Sequence, residues 1–230
     1  MNLNFDSGSM NLESKMNTIY CISGLGVDER AFAQLKIDGY NLKVLQWLEP
    51  LNRETLYRYA KRMSDGIDTE NPILMGLSFG GMICIEIAKQ IPVSKIIIIS
   101  SIKSSLELPT WMKTVAWLKL NKILPVGSSK LTEPFQNRML GASSDEEKKI
   151  AAHYRKNANK KYVTWAVKQA LNWKSDWEHP RVYHIHGDND KMFPIGKLKP
   201  TYTVKDAGHF MIMNRADEVS ECINEILRSK

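Results

Sequence analysis

The chain is poor in cysteine, with three in 230 residues at Cys21, Cys84 and Cys222. They are far apart, odd in number and set in apolar patterns, which fits thiols buried in a reducing compartment better than a disulfide framework, so the expected location is cytoplasmic. No CxxC pair is present, so no zinc or redox motif arises. Long apolar runs are missing too. Ile96–Ile99 is only a strand's worth of residues, so stable membrane insertion is not expected. The N-terminal MNLNFDSGSMNLESKM has no basic start followed by an apolar block. It reads as a flexible leader over residues 1–17 and not as a secretory signal.

What is present is a globular balance: 43% hydrophobic and 25% charged residues, a mixture able to fill a core. The formal net charge of +7 would suit an anionic partner. Its basic residues are interleaved with acids, however, and no nucleic-acid motif accompanies them, so they read as a solvated surface.

Apolar periodicity lays out the elements. Thr18–Ser23, Leu42–Leu48, Ile73–Leu77, Lys95–Ser101, Arg181–Gly187 and Thr201–Lys205 read as strands. Leu56, Tyr59, Ala60 and Met63 fall at helical spacing between Thr55 and Gly66. A second helix runs from about Gly80 to Gln90 and is stopped by Pro92, and a third spans Ala216–Arg228. Strands alternating with helices predict an α/β fold, a mostly parallel central sheet with helices on both faces. Between about residues 102 and 179 the pattern turns helical, in LPTWMKTVAWLKLNKIL and SSDEEKKIAAHYRKN. This stretch reads as an insertion into a single domain spanning 18–230.

Gly76-Leu77-Ser78-Phe79-Gly80 is a G-x-S-x-G sequence placed where an apolar strand ends and a helix begins. A sharp turn there exposes the serine hydroxyl, and glycines at either side let helix and strand approach closely. His209, in Asp206-Ala207-Gly208-His209-Phe210, follows the last strand and precedes the last helix. It therefore belongs in a loop at the carboxyl end of the sheet, the same end as Ser78. His184, His186, Asp188 and Asp190 alternate as metal ligands might. Alternation instead puts His184 and His186 on one face of a covered sheet, and no further cluster completes a site, so neither metal nor cofactor is expected.

GLSFGG preceded by ILM, with HGDND and DAGH near the C-terminus, resembles the α/β-hydrolase superfamily from about Thr18 onward, excluding the insertion and without the first two strands of that fold. The resemblance implies a triad in the order nucleophile, acid, histidine: Ser78, Asp190, His209. Asp190 is chosen because it precedes Pro194 as the G-x-x-D-x-x-x-P pattern requires, leaving Asp188 to cap the turn. It implies an oxyanion hole of two backbone N–H groups, from Phe79 and Leu25, although Ser23 stands where the family usually has histidine. It also implies that the helical insertion is a lid whose apolar residues, Trp111, Met112 and Trp117 among them, line a substrate pocket. The same residues would equally pack the insertion onto the core, and Lys113, Lys119 and Lys122 admit a membrane-surface helix as a third reading. The expected activity is hydrolysis of a small-molecule or acyl-chain ester or thioester, by a monomer or homodimer. A carbon–carbon bond hydrolase or lyase using the same triad, or a non-catalytic ligand-binding member of the fold, remains as the alternative.

Overall fold

The computed structural model describes residues 17–117 and 132–229. The expected leader, apart from its last residue, lies outside the described residues. So do Leu118, Lys119, Leu120, Lys122, Ile123 and Leu124 of the apolar segment.

Among the described residues, six strands form one parallel sheet: β1 (Asn17–Ile22), β2 (Tyr40–Val44), β3 (Ile73–Leu77), β4 (Lys95–Ile99), β5 (Val182–Gly187) and β6 (Tyr202–Val204), in the order β2-β1-β3-β4-β5-β6. The chain runs outward from β1 to β2, then returns to the other side of β1 to lay down β3. The strand order therefore reverses between β1 and β3, and the crevice at their carboxyl ends is where such sheets accept ligands. Register aligns those ends, pairing Ile22 with Gly76, Leu77 with Ile99 and Ile99 with Ile185.

Pleating sends alternate residues to opposite faces. Tyr20, Ile22, Leu74, Ile96 and Ile98 pack with the helices α1 (Leu56–Ser64) and α2 (Phe79–Ala88). Ile19, Cys21, Met75, Leu77, Ile97 and Ile99 face the other way, onto the 3-10 turn Glu29–Phe32 and the later helices. A sheet covered on both sides needs strands apolar at every position, as LMGL and IIII are. Helix α2 is buried from Phe79 to Ile87, which is why its sequence is apolar on every face, Glu86 with its Lys89 and Trp173 partners excepted, instead of striped. Thr55 caps α1 by accepting from the Arg58 N–H.

Strand β2 differs from expectation, beginning at Tyr40 and ending at Val44. The Leu45 N–H still reaches the Cys21 carbonyl at 2.9 Å, after which the chain leaves the sheet. Leu45, Trp47 and Leu48 join the α1/α2 side, so their apolar character reflects packing and not pairing.

Between β4 and β5 no strand occurs among the described residues. The stretch contains α3 (Thr110–Trp117), α4 (Glu133–Leu140), α5 (Asp145–Asn157) and α6 (Lys160–Leu171). Ser144 and Glu147 close a capping box at the start of α5. After β6 come the short α7 (Met211–Asn214), which periodicity did not announce, and α8 (Ala216–Arg228).

Candidate active site

Ser78 sits between β3 and α2 with φ 52° and ψ −118°, a backbone conformation that L side chains rarely adopt. Such strain costs on the order of 1–3 kcal/mol and persists only where the surroundings hold it. Here the Ser78 N–H donates to the Ile99 carbonyl at 2.9 Å. The Ser78 carbonyl accepts from the Gly81 N–H at 2.9 Å and the Ser101 hydroxyl at 2.7 Å. Glycine is required on both sides of the elbow. A Cβ on Gly76 would lie 2.5 Å from Gly80 and Gly81, and one on Gly80 would strike the Ile22 and Ser23 carbonyls.

The acid turn and the histidine loop arrive from β5 and β6. The His209 Nε2 lies 2.9 Å from Ser78 Oγ, and its Nδ1 lies 2.8 Å from Asp190 Oδ2. Asp190 and His209 are buried, at 2% and 7% exposure, which shields the charge interaction between them from water. Burial alone would raise the Asp190 pKa. The facing His209 and His186 rings and the Phe193 N–H outweigh it and hold the carboxyl below its ordinary value.

Asp190 also closes its own turn, its Oδ1 accepting from the N–H groups of Met192 at 2.7 Å and Phe193 at 2.9 Å. The capping role expected of Asp188 thus falls to Asp190, and Asp188 points to solvent as an exposed residue.

Phe79 opens α2, so its N–H has no acceptor within the helix and is free for a ligand oxygen. Leu25 lies in the loop after β1. That loop is drawn closed by the Ser23 hydroxyl donating to the Val27 carbonyl at 2.7 Å and the Val27 N–H donating to the Gly24 carbonyl at 3.1 Å. A Cβ on Gly24 would lie 3.5 Å from Ser78 Cβ, so the loop rests directly against the serine.

The insertion reaches this site. Gly141, at φ 74°, ends α4 and packs so closely on Gly208 that its Cβ would lie 3.1 Å from the Gly208 Cα. The Phe210 N–H donates to the Leu140 carbonyl at 2.9 Å. Glu147 accepts from the Asn214 amide at 2.6 Å beyond the histidine loop. None of these contacts has a local sequence signal, since each joins positions far apart in the chain. Met112 is buried in the cluster that contains Phe79 and Phe193, whereas Trp111 and Trp117 are exposed to 40% and 79%. Trp47, Tyr59, Tyr162 and Trp165 build an aromatic wall behind Phe79, with the Trp47 ring 6.4 Å and the Trp165 ring 6.1 Å from it. Two surface clefts of about 510 and 340 Å³ are lined respectively by residues such as Glu133, Arg138 and Lys148, and Arg30, Lys149 and His153. Neither includes Ser78, Asp190 or His209.

Residues 27–221, far more than half of the chain, match the alpha/beta hydrolase family. The chain belongs to that family. No curated protein matches its sequence. Among solved structures, the chain is similar to a thermophilic esterase from Thermogutta terrifontis, with a TM-score of 0.71, 14% identity, and coverage of 92% of this chain and 89% of that one. It is also similar to a lipase-esterase related protein from Clostridium acetobutylicum, with a TM-score of 0.67, 17% identity and coverage of 93% and 95%. A bromoperoxidase from Bacillus anthracis gives a TM-score of 0.67, 14% identity and coverage of 93% and 92%. At such identities these likenesses speak for the fold. As an alpha/beta hydrolase, the protein carries its six-stranded sheet with the serine elbow at the fold's switch point.

Proposed function

We propose that this alpha/beta hydrolase cleaves a carboxylic ester or thioester through an acyl-enzyme, with Ser78 as nucleophile, His209 as base and Asp190 as the acid that orients it. The observation that carries the reading is the unbroken path Ser78 Oγ–His209–Asp190, at 2.9 and 2.8 Å. With its Nδ1–H committed to Asp190, His209 offers the Nε2 lone pair to the serine hydroxyl. Attack on the substrate carbonyl moves the serine proton to Nε2 and builds an oxyanion, which the Phe79 and Leu25 N–H groups receive. His209 then protonates the departing alcohol or thiol. Water, activated by the same nitrogen, releases the acid. Asp190 stays ionised throughout, in keeping with its lowered pKa.

On this reading the insertion forms a lid over the acyl side of the site, with Met112 in the pocket wall and Trp111 and Trp117 nearer its rim. Cys21, Cys84 and Cys222 are all unpaired, which supports placing the protein in the cytoplasm. Among the described residues no helix is long and apolar enough to cross a membrane. Labelling by a fluorophosphonate probe, lost in Ser78→Ala, tests the nucleophile. A folded wild-type protein that resists the probe and turns over no ester would instead be a ligand-binding member of the fold. Rates across p-nitrophenyl esters and acyl-CoA thioesters of graded length separate ester from thioester preference, and inactivity on both would redirect attention to carbon–carbon bond cleavage.

A further inference from the structure

Two buried histidines lie behind the acid, and the reaction proposed above does not use them. Pleating of β5 places His184 and His186 on the same face of the sheet, both with no exposure to solvent. Their rings meet at 4.9 Å between centroids, with His184 Nε2 3.1 Å from His186 Nδ1. The other nitrogen of His186, Nε2, lies 2.8 Å from the Phe193 carbonyl and 3.5 Å from Asp190 Oδ2.

The partners dictate where the protons are. A carbonyl oxygen can only accept, so His186 Nε2 must carry hydrogen. In a neutral ring Nδ1 is then a lone pair, so the 3.1 Å contact is donated by His184 Nε2. Hydrogen bonding therefore runs in one direction, from His184 to His186 to the Phe193 carbonyl. Burial supports neutral rings, since it pushes the pKa of both histidines down. Phe193 is the junction of the arrangement. Its carbonyl accepts from His186, its N–H donates to Asp190 Oδ1 at 2.9 Å, and its ring lies against that of His209 at 5.5 Å.

We propose that His186, held by His184, is a positioning residue for the acid: its Nε2–H anchors the Phe193 peptide, and through it the Asp190 carboxylate, at the distance His209 needs. Without that donor the Phe193 carbonyl is a buried acceptor with no partner, and the turn shifts to find one. A displacement of about 1 Å in a reacting constellation costs on the order of a hundredfold in rate.

The inference rests on the triad reading, and the test separates the two. Glutamine places an amide N–H where His186 Nε2–H stands, whereas asparagine reaches only the Nδ1 position. His186→Asn should lower kcat about a hundredfold with KM changed less than threefold, and His186→Gln should restore most of the loss. Equal kcat in the two variants, or a loss confined to KM, overturns the proposal. Ring-nitrogen NMR of the wild-type protein at neutral pH, assigned with single His→Gln variants, supplies a readout that does not depend on the Asn variant folding. The proposal expects His184 and His186 both neutral and protonated on Nε2. A proton on His186 Nδ1, with His184 turned to donate toward the Ser101 backbone, overturns it. Ester hydrolysis surviving in Ser78→Ala would remove the triad and leave the NMR result standing.

Discussion

In the sheet, Ile96, Ile97, Ile98 and Ile99 are completely buried, and alternate ones serve opposite helix layers. In the stretch between β4 and β5, Leu106 is 70% exposed, Trp117 79% and Phe135 66%. Similar side chains thus meet opposite fates within one chain. The strand residues have helices on both sides to bury against. The insertion covers one side of the molecule through residues such as Met112, Tyr162, Ala166 and Leu171 and leaves its outer face to water. Precision follows the same division. Ser78, Asp190 and His209 stand on turns at strand ends whose backbone groups are paired. The insertion meets this machinery at the Gly141–Gly208 approach, the Leu140–Phe210 bond and the Glu147–Asn214 bond. Ser78, His209 and Asp190 thus meet at the carboxyl edge of the sheet, and the insertion packs on the histidine loop from outside.

The sharpest form of this contrast is at the serine. Ser78→Ala removes one oxygen from the edge and should lower ester turnover by roughly 10⁴- to 10⁶-fold. Thermal unfolding should be little changed, because the hydrogen bonds that hold the elbow use the Ser78 backbone N–H and carbonyl, which alanine keeps. Turnover near the wild-type rate in a folded variant would end the assignment.

Next comes the acid turn. Asp190→Asn should lower kcat by up to about 10⁴-fold. Because the same side chain closes the turn for Met192 and Phe193, it should also cost on the order of 1 kcal/mol of stability. Asp188→Asn, on an exposed carboxylate, should be near wild type in both kcat and melting temperature. A dead Asp188 variant beside an active Asp190 variant reverses the assignment.

The junction between the two regions is tested by Gly141→Ala. A left-handed φ costs a non-glycine residue about 1–2 kcal/mol, and the new Cβ presses on Gly208. We expect a melting temperature lower by a few degrees and kcat lower by about tenfold at similar KM. A stability loss with unchanged kcat would show that the insertion does not steady His209.

Within the insertion, Met112→Ala should cost about 2–3 kcal/mol and change the preference among acyl lengths severalfold. Trp117→Ala should shift stability by less than about 0.5 kcal/mol. Its effect on acyl preference reports whether the rim touches substrate, and no change there removes Trp117 from the pocket.

The smallest effect is one of pH. Partial burial pushes the Glu147 pKa up, but hydrogen bonds from Asn214, Ser144 and Ser143 outweigh it and hold the pKa down at about 2. A carboxyl lowered on folding stabilises while ionised. This contribution is therefore complete above the ordinary glutamate value of 4.5 and is lost as the pH falls toward 2. Glu147→Gln should flatten the acid limb of the melting-temperature profile across that window, and superimposable wild-type and variant profiles would refute it.

The division between what reads along the chain and what does not is a division between near and far neighbours. Apolar runs and periodicity announced β3 and α8 residue for residue, because strand and helix faces repeat over a few positions. The strand–turn–helix setting of Gly76–Gly80 and the positions of Asp190 and His209 after their strands were legible for the same reason. The end of β2 was not, since Leu45, Trp47 and Leu48 are apolar whether they pair or pack. Asp190 as the inward carboxylate was legible, but not that its second oxygen also closes the turn in place of Asp188, since that depends on how the chain folds back over Met192 and Phe193. Ser101 clamping the Ser78 carbonyl, Ser23 closing the loop against the serine, Gly141 on Gly208 and Phe193 between His186 and Asp190 all join residues that no pattern relates. Those contacts exist only once six strands have been ordered side by side and their carboxyl ends brought to a common edge. A periodic signal records which face of an element is buried, but not which other element buries it.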